Sequence, residues 1–135
     1  MEKYSIPQLE NVKVNGDFWK EKMELIAEKT IPYQWRALHS QEGSDNDKSY
    51  AFLNLEIASG QKKGVFQGPL FQDSDIGKWI EAASYTFLYH PSDMIEGWID
   101  ETVDLLEAVQ LADGYLDSYY IAGRMEERYT NFAWG

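Results

Sequence analysis

The sequence contains no cysteine and only two histidines among its 135 residues. Without a thiol, the chain itself offers no disulfide, no thiolate metal ligand and no thiol nucleophile. His39 and His90 have no second histidine or cysteine at the spacing of a metal site. We therefore expect no metal site and no catalytic residue from this chain alone.

Basic residues are also scarce. Twelve lysines and arginines face 23 acidic residues, which gives a formal net charge of -11. Such a surface repels polyphosphates and anionic lipids, so we expect neither nucleic acid nor a membrane as a partner, whereas neutral sugars are compatible. No apolar run approaches the length of a membrane span, and the N-terminus lacks the apolar region of a signal peptide, so we expect a cytoplasmic protein.

The chain does contain enough apolar residues to form the core of one domain, which would span residues 1–135. Hydrophobic residues make up 44% and aromatic residues 15% of it. Residues 8–14 alternate like a short extended segment, and Asn15–Asp17 are typical of a turn before a helix. Helical spacing from Phe18 is interrupted or kinked by Pro32, and Thr30 is a possible cap for a second short helix.

Two long helices follow after polar loops at residues 39–47 and 59–72. The first is predicted to start at Asp73 or Ser74, either of which can cap it, and to end near His90. The second runs from Ser92 to Gln110, and the short link forces the two into a helical hairpin. Periodicity leaves residues 50–58 open between strand and helix, and residues 115–135 are predicted to be mostly irregular.

Three groups of side chains are candidates for binding or catalysis. Asp73 and Asp75 fit a ligand-binding cleft, but helix capping and favourable interaction with the helix dipole explain them at least as well. Three carboxylates four residues apart are better explained as a solvated helix face: Glu96, Asp100 and Asp104. Three tyrosines after the second long helix are better sugar-stacking candidates than aromatics at helical spacing: Tyr115, Tyr119 and Tyr120.

Two segments carry a resemblance to a known family. Residues 71–81 resemble the F-x-D-S-D-x-x-K-W-x-E signature of glycoside hydrolase family 127, the β-L-arabinofuranosidase family. Residues 113–119 resemble its D-G-Y-L-x-x-Y element, and residues 12–19 and 31–35 resemble its N-terminal region. These segments span nearly the whole chain in the family's order, which is more specific than either motif alone.

The resemblance implies an all-α fold, the N-terminal portion of an (α/α)6 barrel built from helical hairpins with long loops. It favours a helix for residues 49–58. It also implies a retaining glycosidase acting on terminal β-L-arabinofuranosides of plant-type glycans. The residues it places in the substrate pocket of this chain are Gln72, Asp73, Ser74, Asp75 and Tyr115.

Family members are expected to use a cysteine nucleophile at a zinc site and a glutamate acid/base, all downstream of the matching region. The chain therefore resembles the first part of the barrel and is expected to be inactive alone, with zinc bound in the complete protein. An apolar edge along Trp98, Val103 and Leu106 would need the rest of the barrel or a second copy to cover it. The alternative is a stand-alone helical module that binds carbohydrate or a protein.

Overall fold

A computed structural model describes residues 6–43 and 48–129, which contain six α-helices and no β-strand. The predicted all-α class is confirmed within those ranges. The helices are α1 (Asp17–Leu25), α2 (Ile31–Leu38), α3 (Ala51–Ala58), α4 (Gln72–Tyr89), α5 (Asp93–Val109) and α6 (Ser118–Ile121). Within these residues, none of the helices is both long and apolar enough to cross a bilayer.

The first two helices form one rod joined by a π-helical turn at Ile26–Thr30. Pro32 explains this turn, because its ring would clash with the carbonyl four residues earlier in a regular helix and it has no N–H to donate. Thr30 does not cap α2: its backbone is helical, and its side chain makes no cap bond. The prediction of a separate, Thr30-capped helix is therefore wrong, although α2 itself exists.

The predicted hairpin of long helices is confirmed as α4 and α5, which are joined by residues 90–92 and pack against each other. Its first boundary differs from the prediction. The helix α4 begins at Gln72 with Phe71 in the N-cap position, and no side chain makes a cap bond there. Asp73 and Ser74 already lie in the first helical turn, so the capping role predicted for them is wrong.

The ambiguous run at residues 50–58 is helical, as the family resemblance favoured. The helix α3 contacts α4, α5 and α6, so residues on several of its sides are buried: Ala51, Phe52, Asn54 and Leu55. The other four residues, Leu53, Glu56, Ile57 and Ala58, are half-buried, and apolar residues occur on both the buried and the half-buried sides, so the sequence lacks a clear helical period.

Tryptophans join the helices in the core. The Trp35 ring lies 4.8 Å from that of Trp79 and stacks on that of Trp98 at 5.1 Å. The Trp79 indole N–H donates to the backbone carbonyl of Ile31 at 3.3 Å, which satisfies the polar atom of a buried aromatic. Ile31, Leu55 and Ile76 are fully buried around these rings. This packing fixes α2, α3 and α4 relative to one another.

The remaining predictions concern the irregular segments. The N-terminal segment contains a 3-10 turn at Leu9–Asn11 before its extended part, so only the latter matches the prediction. The described part of the polar loop consists of turns and bends, while residues 44–47 lie outside the described residues. After residue 115 the chain is mostly irregular, but sequence periodicity missed the short helix α6; residues 130–135 lie outside the described part.

Candidate functional site

The two segments that carry the family signature meet in space at the start of α4. The carboxylate of Asp73 accepts a hydrogen bond from the backbone N–H of Ser118 and another from the Ser118 hydroxyl, both at 2.6 Å. Ser118 is fully buried. This contact joins the first turn of α4 to the first residue of α6, 45 positions along the chain. We refer to it as the Asp73–Ser118 latch.

Gln72 is buried, and its side-chain amide is hydrogen-bonded to backbone groups around it. Its Oε1 accepts from the backbone N–H of Tyr50 at 2.6 Å, and its Nε2 donates to the carbonyls of Gln67 and Pro69 at 2.8 and 2.9 Å. The side chain therefore fastens the loop before α4 to the start of α3. Its hydrogen-bonding groups face protein rather than solvent.

Ser74 and Asp75, in contrast, lie at the surface of the same helical turn. The Ser74 hydroxyl donates to the Phe71 carbonyl at 2.7 Å. Lys78 donates to Ser74 Oγ at 3.3 Å and to Asp75 Oδ1 at 3.0 Å. These exposed contacts are weak and exchangeable with solvent, so both side chains are accessible to a polar ligand.

Tyr115 lies in a small aromatic and charged cluster on the loop after α5. Its ring meets the ring of Tyr129 edge-on at 5.3 Å. The guanidinium of Arg128 lies 5.5 Å from the Tyr115 ring centre and 2.9 Å from Asp113 Oδ2. Burial raises the pKa of the Tyr115 hydroxyl, which remains a neutral donor at neutral pH.

Asp113 shapes the turn that presents Tyr115. Its Oδ1 accepts the backbone N–H of Tyr115 at 3.1 Å, an Asx-turn that the Asp-Gly sequence predicts. That hydrogen bond is the main reason why the pKa of Asp113 is lowered, and Arg128 lowers it further. The neighbouring Gly114 has a φ of +86°, which supplies the left-handed residue of this turn.

Sequence reasoning missed two side chains that hold the backbone near the candidate site in place. Asp117 caps α6 by accepting from the N–H groups of Tyr119 and Tyr120. Burial, together with the nearby charge of Asp73, raises the pKa of Asp117. The pattern Asp117 before Ser118-Tyr119-Tyr120 is an N-cap signal, but the helix is too short to show a period.

The second missed residue is Asn54, which is fully buried on α3. Its amide exchanges two 2.9 Å hydrogen bonds with the backbone of Gln67, as donor to the carbonyl and acceptor from the N–H. The Gln67 carbonyl therefore accepts hydrogen bonds from the side chains of both Asn54 and Gln72. Nothing in the sequence around Asn54 marks it, because the partner lies 13 residues away in a loop.

The other candidate residues from the sequence do not form a catalytic group at the start of α4. Glu96, Asp100 and Asp104 are exposed on α5, in agreement with a solvated face. Tyr119 is buried against the Phe66 ring at 5.1 Å and is therefore a core residue rather than a free stacking platform. In residues 6–43 and 48–129, no three His, Cys, Asp or Glu side chains are grouped so that they could hold a metal ion.

The predicted apolar edge on α5 is largely absent. Trp98 and Leu106 are partly buried and pack against the core, so the prediction is wrong for these two residues. Val103 is exposed, as predicted. Trp98 turns inward because its ring stacks on Trp35, a contact that helical spacing alone does not reveal.

Comparison with solved structures defines the class of fold. The chain is similar to the crystal structure of a GH127 β-L-arabinofuranosidase from Geobacillus stearothermophilus, with a TM-score of 0.83 and 36% identity over 90% of this chain. A GH127 β-arabinofuranosidase is similar at a TM-score of 0.68 and 26% identity over 84% of the chain. The helices described above thus form the N-terminal portion of an (α/α)6 barrel.

The sequence comparisons then give the family. The model of the β-L-arabinofuranosidase GH127 catalytic domain matches residues 11–135. A non-reducing end β-L-arabinofuranosidase from Bifidobacterium longum subsp. longum is 38% identical over an alignment of 121 residues, which covers 82% of this chain. The chain belongs to the GH127 β-L-arabinofuranosidase family. It spans 18% of the length of the Bifidobacterium relative and 19% of the Geobacillus chain.

Proposed function

We propose that these 135 residues form part of a glycoside hydrolase that releases terminal β-L-arabinofuranosyl units from plant-type glycans. The observation that carries the proposal is the Asp73–Ser118 latch, which joins the two family-signature segments at one end of α4. Family membership and the activities of the Bifidobacterium and Geobacillus relatives support this substrate class. The net charge of -11 suits a neutral sugar better than a polyanion.

In this proposal the predicted pocket residues have two different tasks. Gln72 and Asp73 shape the pocket indirectly. Their polar atoms are hydrogen-bonded to other residues of the protein and are therefore not available to the sugar. Ser74, Asp75 and Tyr115 contact the sugar, since a hydroxyl, a carboxylate and a phenol can exchange their surface bonds for bonds to sugar hydroxyls. None of the five is assigned a chemical step.

The chemistry is assigned to the rest of the complete protein. The family resemblance implies a cysteine nucleophile, a glutamate acid/base and a zinc ion in a retaining mechanism. The donor set of this chain does not fit zinc: it has no cysteine, and Nδ1 of His39 is engaged with the Trp35 carbonyl at 2.8 Å. We therefore infer that the chain alone is inactive and that the rest of the barrel is its partner.

The experiment compares residues 1–135 with the complete protein on p-nitrophenyl β-L-arabinofuranoside and its α-anomer. We expect β-selective hydrolysis by the complete protein and none by residues 1–135. In the complete protein, Asp75→Asn and Tyr115→Phe should raise KM several-fold. Glu107→Gln, which removes an exposed carboxylate on α5, should not change KM.

Each result bears on a separate part of the proposal. Turnover by residues 1–135 would contradict the inactivity of the chain alone. A complete protein that cleaves only other glycosides would contradict the substrate class. Saturable sugar binding by residues 1–135, with no hydrolysis by any longer form, would favour a stand-alone binding module.

A further inference from the structure

The most exposed aromatic ring in the described part of the chain belongs to Tyr129, which follows the short 3-10 turn at Met125–Glu127. The residue is 75% exposed. Its backbone φ is +65°, in the left-handed region that bulky residues avoid. Backbone conformations of this kind persist where the surrounding structure fixes them, and they are concentrated at ligand sites. The proposed function assigns no task to Tyr129.

The Tyr129 ring is held in place from one side only. The guanidinium of Arg128 lies 5.0 Å from its ring centre, and the half-buried Tyr115 ring meets it edge-on at 5.3 Å. Asp113 in turn fixes Arg128 through an ion pair at 2.9 Å. The ring is therefore oriented before any ligand arrives, although most of its surface is open. Such preorganisation lowers the entropic cost of binding.

The position of this ring relates it to the candidate site. Tyr115 precedes Ser118 by three residues, and the Asp73–Ser118 latch fixes Ser118 to the first turn of α4. The ring pair of Tyr115 and Tyr129 therefore lies on the side of the chain where α4 begins. The proposed function places the terminal sugar against Tyr115. A substrate that continues beyond that sugar meets the neighbouring ring, which is Tyr129.

The chemistry of the cluster suits a neutral sugar. Asp113 balances the charge of Arg128, so the surface offers an aromatic face and hydrogen-bond donors without net charge. We propose that Tyr129 binds the second sugar of the substrate, the one that carries the terminal β-L-arabinofuranosyl unit, by stacking against its C–H face. This inference rests on the proposed function, which supplies the terminal sugar and its place beside Tyr115.

The test measures hydrolysis by the complete protein of two substrates that differ in the second sugar. One is methyl β-L-arabinofuranoside, and the other is a disaccharide with β-L-arabinofuranose linked to a second L-arabinose. Tyr129→Gly removes the ring and tolerates the positive φ, whereas Tyr129→Phe keeps the ring. We expect Tyr129→Gly to raise KM about 2- to 10-fold for the disaccharide, the range of an aromatic stacking contact, with kcat maintained. The rise should be confined to the disaccharide.

Two comparisons make this result specific. Tyr129→Phe should retain the KM of the unsubstituted protein for both substrates, because the stacking face remains. Tyr33→Ala removes another exposed aromatic, on α2 and outside this cluster, and should change neither KM. Because glycine is suited to the backbone at position 129, Tyr129→Gly should leave the melting midpoint of the complete protein unchanged.

Two results would overturn the inference while the proposed function stands. One is a KM that Tyr129→Gly changes equally for both substrates, or for neither. The other is a melting midpoint several degrees lower with Tyr129→Gly, because the ring would then be packed inside the complete protein rather than open to a sugar. A complete protein that cleaves neither arabinofuranoside would contradict the proposed function, and this inference with it.

Discussion

Removal of the Asp73–Ser118 latch should destabilise the chain far more than removal of the neighbouring Asp75 carboxylate. Asp73→Ala deletes two 2.6 Å hydrogen bonds to a charged acceptor. The N–H and the hydroxyl of the fully buried Ser118 both lose that acceptor. At about 1.5 kcal/mol for each such bond, the free energy of unfolding should fall by about 3 kcal/mol. That is a large part of the ~5–15 kcal/mol typical of a domain.

Asp75→Ala is the matched control. It lies in the same helical turn and loses the same favourable interaction with the helix N-terminus. Its side chain is 40% exposed and pairs with Lys78 three residues on, a contact worth only a few tenths of a kcal/mol. We expect a loss of about 0.5–1 kcal/mol. The difference between the two variants isolates the bonds to Ser118.

A double-mutant cycle supplies the sharper test. Ser118→Ala alone should cost about 1.5 kcal/mol because it removes the hydroxyl bond. In the Asp73→Ala background that bond is already lost, so the second substitution should add little, and the coupling energy should be about 1.5 kcal/mol. The assay is urea unfolding followed by tryptophan fluorescence. Additive single effects, with coupling below ~0.5 kcal/mol, would refute the latch.

Three further predictions concern the loops that surround the latch. Asn54→Ala should cost about 1–3 kcal/mol in urea unfolding, because the Gln67 N–H loses its buried acceptor and the Gln67 carbonyl keeps only its bond from Gln72. Gly68→Ala should cost more than Gly60→Ala: both have positive φ, but only at Gly68 would the added Cβ lie 2.7 Å from a Gln72 atom. Equal losses for the two glycines would contradict the packing described here. Arg128→Gln should raise the pKa of Asp113 only part of the way to 3.8 in an NMR titration, because the Tyr115 N–H remains. The lowered pKa of Asp113 stabilises the fold above pH 3.8, and this contribution is lost as the pH falls through the folded pKa.

Long amphipathic elements were predictable, and short or fully buried ones were not. The helices α4 and α5 each present one apolar stripe to the core and one polar face to solvent, so their sequences carry a helical period. The helix α3 lacks that period because apolar residues occur on both its buried and its half-buried sides, and α6 has only four residues, with Asp117 as its cap. The π-helical turn arises from Pro32 inside a continuous rod; the sequence predicts an interruption or a kink there but does not decide between them.

The sequence did not reveal which structural contacts the candidate site residues make. The signature segments did indicate the first turn of α4 and the loop before α6. Sequence spacing gave no sign that the Asp73 carboxylate is satisfied by a residue 45 positions away, or that Gln72 joins two loops. Ser74 and Asp75 differ from Gln72 and Asp73 in their hydrogen-bond partners, which lie within α4 or just before it for the first two and on distant segments for the last two, and this depends on how α3, α4 and α6 pack.

The two ends of α4 differ in their surroundings and in the kind of contact that their residues can make. At the N-terminal end, Asn54 and Gln72 share the Gln67 carbonyl while Asp73 binds Ser118, so polar bonds fix three loops. Such bonds hold the backbone and side chains at this end in fixed positions. At the C-terminal end, apolar residues such as Leu88 are left exposed beside α1. Apolar contacts are non-directional, so the exposed residues at this end impose no comparable geometry. One helix therefore has an end that hydrogen bonds fix to three loops and an opposite end whose apolar residues are exposed to solvent.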